Sequence, residues 1–215
     1  MTSQELAAYR QQINQMKRGR TAEQKKVIDY FADLGGCLSS VMKDQDYDAL
    51  VAAKVNGINF KERALNKIGL DESQVNEIEP IHFASWYHDD RKTFAKQGKD
   101  GLWRSSAYQV SWIFFSDTQV YLYQYTFHMD EDTKREATEE YFYKDITNFS
   151  STTDTVEKMV SRSGCMSNTI IRSTVENDVF ALIVPGDKLR CSMTRSDYTE
   201  RAIQGMKAKL REKKL

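Results

Sequence analysis

The chain lacks most of the features that identify a function class. Its three cysteines, Cys37, Cys165 and Cys191, are far apart and fall in no CxxC spacing. Disulfide frameworks and thiolate metal sites need paired or clustered cysteines, so free buried thiols are expected. Lysine plus arginine total 31 and aspartate plus glutamate total 31, giving a formal net charge of zero. Proteins that grip a phosphate backbone need a basic excess, which weighs against nucleic acid. No apolar run approaches the roughly 18 residues that span a membrane, and the opening MTSQELAAYRQQ has no signal-peptide pattern, so a cytoplasmic protein is expected. No G-x-S-x-G, glycine-rich phosphate loop or G-x-G-x-x-G is present.

The remaining polar groups do not assemble into a reaction centre on spacing alone. His82 and His88 are the one close histidine pair. On a single strand they would share a face about 20 Å apart, too far for one metal ion, so they read as surface or edge residues. Asp89 and Asp90 beside them complete no ligand spacing. Ser40-Val41-Met42-Lys43 matches S-x-x-K, but the companion S-D-N and K-T-G elements are absent, which leaves a packing or surface role. Asp130, Glu131 and Asp132 lack the glycine and terminal glutamate of a calcium loop and read as a solvated turn. Asp145 reads as a turn cap. No catalytic residue, metal or cofactor is expected.

What the chain does have is aromatic and alternating. With a turn at Asp117-Thr118, Phe114 faces Tyr121, Trp112 faces Tyr123, Val110 faces Tyr125 and Tyr108 faces Phe127 on one side of a hairpin. The other side pairs Phe115 with Val120 and Ile113 with Leu122, then fades to Ser111 with Gln124 and Gln109 with Thr126. A hairpin apolar on both faces must be covered on both. The aromatic ladder could also serve as a sugar platform, but Val110 and Phe127 beside the rings favour packing.

Residues 1 to about 70 read as short amphipathic helices. Leu6, Tyr9, Ile13 and Met16 form a first stripe, with Thr2 and Glu5 as a capping box. Thr21 and Gln24 open a second stripe of Val27, Ile28, Phe31, Leu34, Leu38 and Val41, which Gly35-Gly36 interrupts. Tyr47, Leu50, Val51 and Val55 mark a third. Phe60, Ala64, Leu65 and Ile68 mark a fourth, stopped by Gly69. Strands follow at Ile78–Tyr87, Tyr108–Phe115, Gln119–His128, Thr138–Tyr143, Val156–Val160, Thr169–Thr174, Val179–Val184 and Leu189–Met193. Asp89–Arg104 and MDEDTKREAT read as polar loops outside the core. A last helix over roughly Ser196–Lys213 puts Tyr198, Ala202, Ile203, Met206 and Leu210 on one face.

Phe114–Tyr123, FFSDTQVYLY, and Glu139–Ser150, EEYFYKDITNFS, are similar to segments of bacterial pleckstrin-homology-like (PH-like) domains. Ser116-Asp117 stands at the turn between two apolar strands. Tyr143-Lys144-Asp145-Ile146 stands at the Y-x-D-I step after an acidic-aromatic strand. The chain departs from the pattern at Gln119, where members commonly carry a basic residue, and in the acidic loop Asp130–Glu136. The resemblance covers about Glu77 to Lys213. It implies an α+β fold in which N-terminal helices (1–71) pack on a seven-stranded PH-like β-barrel with a C-terminal helix (72–215). Ile203, Met206 and Leu210 would plug the barrel, and the helical segment would cover the outward aromatic face. It also implies a non-catalytic binding or scaffold module with a protein partner, and leaves the number of copies open. Two alternatives stand beside it. Lys207, Lys209, Arg211, Lys213 and Lys214 on the last helix could hold an anionic membrane surface, at up to ~1 kcal/mol per residue. A pocket between helices and barrel could instead house an enzyme.

Overall fold

The structure is a computed structural model and describes residues 3–33, 42–88, 93–163 and 168–214. Cys37, Ser40, Asp89, Asp90, Cys165, Thr2 and the Leu34, Leu38 and Val41 part of the second stripe lie outside them. The first four helices are α1 (Ser3–Met16), α2 (Ala22–Ala32), α3 (Asp44–Asn56) and α4 (Phe60–Ile68). Thr21 and Gln24 form the expected reciprocal capping box. Gly69 ends α4 at φ 82°, the left-handed conformation that a Cβ would strain. Ile13 of α1 packs on Ile28 and Ala32 of α2, so α1 is a second layer on α2.

Nine strands follow among the described residues, where the sequence pattern marks eight segments and the resemblance implies seven strands. They are β1 (Ile81–Trp86), β2 (Ala95–Gln97), β3 (Trp103–Ser105), β4 (Ala107–Phe115), β5 (Gln119–His128), β6 (Lys134–Phe142), β7 (Asn148–Ser163), β8 (Asn168–Val184) and β9 (Asp187–Ser192), and α5 (Asp197–Lys213) closes the chain. All strand pairs are antiparallel. They form three open sheets, ordered β1-β4-β5-β6, β2-β3 and β7-β8-β9, rather than one closed barrel. The β4–β5 register matches the aromatic ladder pair for pair, from Phe115 opposite Val120 to Tyr108 opposite Phe127.

The differences from the sequence pattern have physical causes. The segments at Thr169–Thr174 and Val179–Val184 are one strand, β8, and Val156–Val160 is the middle of the 16-residue β7. Here Ser and Thr hold ladder positions without an apolar alternation to mark them. The supposed loop Asp89–Arg104 contains β2 and leads into β3 with Arg104, which is 2% exposed. Burial is tolerated because Asp48 and Asp100 both clamp its guanidinium, at 2.7 to 3.0 Å. The second supposed loop is also structured: Met129 and Asp130 are buried and β6 begins at Lys134.

The core lies on both faces of β4 and β5. On one face Ile113, Phe115, Val120 and Leu122 meet Phe149, Phe180 and Leu182 of the β7-β8-β9 sheet. Ile203, Met206 and Leu210 of α5 are buried in the same cluster, so the last helix is anchored in this core, which open sheets rather than a barrel enclose. On the other face α2, α3 and α4 bring Phe31, Tyr47, Val51 and Phe60 onto Phe114, Tyr123, Tyr125 and Phe127. The helical segment therefore covers the aromatic ladder.

Candidate functional site

The residues singled out by sequence do not converge. His82 is exposed on β1 and stacks on Trp112 at 4.9 Å. His88, read as a surface residue, is buried beyond the end of β1. Burial, with the nearby Lys158 charge, pushes its imidazole down to about 4, so it is neutral at physiological pH. Cys191 is a free buried thiol, pushed up to about 12 by desolvation, which suits packing rather than nucleophilic chemistry. Lys43 is the N-cap of α3. Asp145 lies exposed in a one-turn 3-10 helix between the two main sheets. No group of three His, Cys, Asp or Glu side chains among the described residues is placed to hold a metal ion.

The acidic turn after β5 is a docking point for the helices rather than a solvated loop. Arg20 pairs with Glu131 at 2.7 Å, and Gln24 donates to Asp132 at 2.7 Å. Lys54 donates to the His128 carbonyl at 3.0 Å. Asp130 is 7% exposed, and its Oδ1 accepts no hydrogen bond among the described groups. His128 Nδ1 stands 3.9 Å from that oxygen. Desolvation raises the Asp130 carboxyl above its ordinary range, against the opposing pull of its own backbone N–H and of His128.

The basic tail is partly neutralised within the chain. Lys209 is held by Glu77 and Glu212, and Lys213 by Glu77 and Asp117. These hydrogen bonds raise both lysines and lower Glu77. Arg211 donates Nε–H to the Lys207 carbonyl and is exposed, as is Lys214. The tail thus fastens α5 to the segment before β1 and to the β4–β5 turn.

An open cleft of about 610 Å³ lies where the α3–α4 turn and α4 overhang β6, lined by Gly57, Ile58, Asn59, Glu62, Arg63, Asn66, Lys67 and Glu136. α4 projects Arg63 toward the sheet. β6 places Glu136 opposite Tyr125, on the helix-facing side. Arg63 grips Glu136 through two parallel bonds of 2.8 Å. The Tyr123 hydroxyl donates to the same carboxylate at 2.8 Å. Arg63 also lies over the Tyr125 ring at 5.1 Å. The Arg63 hydrogen bonds bring Glu136 down to about 2 and raise Arg63 further above its already high range. Both groups stay charged across the physiological range, so the cleft offers a fixed polar surface. Sequence reading passed over these residues because Arg63 and Glu136 lie 73 positions apart. Only the strand register turns Glu136 toward the helix.

Comparison with protein-family models, curated proteins and solved structures returned no match. No helix among the described residues is long and apolar enough to cross a membrane.

Proposed function

We propose that the chain is a non-catalytic binding or scaffold module of the PH-like kind, acting in the cytoplasm on a protein partner. The order of elements supports the family relation. A four-stranded meander, interrupted by the small β2–β3 hairpin, is followed by a three-stranded meander and a terminal helix. The Tyr143-Lys144-Asp145-Ile146 step joins the two sheets, with Tyr143 and Ile146 both buried in the shared core.

The observation that carries the binding reading is the cleft beside α4. It presents amide and charged side chains, and its central ion pair is locked in the charged state. Proton-transfer catalysis at neutral pH calls for a group that titrates there, so this geometry favours recognition over the enzyme alternative. Lys209 and Lys213 are engaged by carboxylates, which weakens the membrane alternative.

A photoreactive residue at position 66, on the cleft rim, tests the reading in cells of the protein's own source. The expected result is a discrete protein adduct that disappears when Lys67→Glu is added. Absence of any adduct, with the protein folded and abundant, would count against the cleft as the binding site.

A further inference from the structure

The β6 edge carries a charge pattern with a two-fold character. We propose that this edge pairs with the same strand of a second copy, in antiparallel fashion, about a two-fold axis at Ala137.

The geometry begins with the β5–β6 ladder. The Tyr143 N–H bonds the Thr118 carbonyl, and the His128 N–H bonds the Thr133 carbonyl, at opposite ends of an unbroken register. Antiparallel pairs alternate between hydrogen-bonded and non-hydrogen-bonded. The odd-numbered residues of β6 therefore bond to β5. Lys134, Glu136, Thr138, Glu140 and Phe142 turn their backbone groups outward, where no described strand pairs with them. Such an edge is a ready template for another strand.

The side chains specify which strand fits. Lys134, Arg135, Glu139 and Glu140 are exposed and make no ion pair among the described residues. A two-fold axis at Ala137 sets Lys134 opposite the partner's Glu140 and Arg135 opposite the partner's Glu139, each pair occurring twice. Glu136, already held by Arg63, faces the partner's Thr138 and meets no like charge. The register also satisfies the backbone: outward-facing residues meet outward-facing residues, and Ala137 meets its own copy at a non-hydrogen-bonded position. A one-residue slip would break both matches. α4 packs mainly on β4 and β5 and reaches β6 through Arg63 on Glu136, which leaves the outward backbone groups of β6 without a partner among the described strands. The two copies of β5 would stand three strand spacings apart, about 14 Å. The dimer does not depend on the cleft being a binding site.

Sedimentation equilibrium of the full chain tests the proposal. The wild type is expected to dimerise, more weakly as salt rises. Glu139→Lys with Glu140→Lys should weaken self-association roughly hundredfold, from four lost pairs and new repulsion. Lys134→Glu with Arg135→Glu should do the same. Mixing these two variants should give a heterodimer, and combining all four substitutions in one chain should restore the homodimer. Thr138→Pro removes an outward N–H and leaves the β5 ladder intact, so it should also yield monomer. Ala137→Cys should cross-link through the introduced thiols under mild oxidation, whereas Glu139→Cys should not. All the reversed residues are exposed, so circular dichroism should confirm unchanged folding. A monomeric wild type at tens of micromolar overturns the proposal, as does a dimer indifferent to the charge reversals. Neither outcome bears on partner capture from position 66.

Discussion

Replacing Tyr47 measures how firmly the helical layer is joined to the sheet. Tyr47 is fully buried in α3. Its ring stacks on Tyr30 at 4.7 Å and on Trp86 of β1 at 5.6 Å, and meets Phe31 edge-on at 5.1 Å. Its hydroxyl donates to the Ser105 carbonyl at 2.7 Å. Burial and surrounding carboxylates push the phenol well above its ordinary range, so it remains a donor at any working pH. Tyr47→Phe removes only the hydroxyl and leaves a buried carbonyl unpaired, a loss of about 1–3 kcal/mol. Tyr47→Ala also empties the ring's volume, which costs about 3–5 kcal/mol for a large aromatic. The total, about 4–8 kcal/mol, is a large share of a stability that is typically about 5–15 kcal/mol. Urea unfolding followed by both far-UV circular dichroism and tryptophan emission would read it, since Trp86 reports the contact directly. The two probes should move together, with Tyr47→Ala far more damaging than Tyr47→Phe. A Tyr47→Ala loss below about 1 kcal/mol would refute the docking of α3 on the sheet.

Leu210→Ala should destabilise by about 2–5 kcal/mol in the same urea assay, because Leu210 anchors α5 in the core cluster. Loss near zero would remove α5 from the core. Asp130→Asn should stabilise the protein at pH 7. The Asp130 carboxyl is raised in the folded state relative to an unfolded value of about 3.9, so its contribution falls as pH climbs from about 4 through the folded value. The asparagine variant should lack that fall, and a wild-type-minus-variant difference that is flat with pH would contradict the assignment. Vesicles containing anionic lipid should not retain the protein in a salt-sensitive way, and Lys209→Ala should instead lower the melting temperature. Salt-sensitive retention abolished by Lys207→Glu with Arg211→Glu would revive the membrane reading.

The readable parts of this fold are those where a single period governs the chemistry. The β4–β5 register follows from aromatic residues recurring every second position around one turn. The start of α2 and the end of α4 follow from local caps, Thr21 with Gln24 and Gly69. The rest depends on distant partners. Arg104 is polar in sequence and buried in the structure because Asp48, 56 positions away, neutralises it. β7 carries NFSSTTDT, whose polar residues join the ladder with β8 without an apolar face to signal it. The acidic turn appears solvated until Arg20, Gln24 and Lys54 of the helical segment reach it. The cleft needs both the docking of α4 and the parity of β6 to exist.

The central claim is that the helical segment is the cover of the β4–β5 aromatic face and not a separable arm. The direct measurement compares the fragment 72–215 with the full chain by thermal unfolding and by binding of a dye that senses exposed apolar surface. The claim predicts that the fragment aggregates, or binds the dye strongly and melts far lower, because Phe114, Tyr123 and Phe127 lose the residues that bury them. A soluble fragment with the full chain's melting temperature and no dye binding would contradict it.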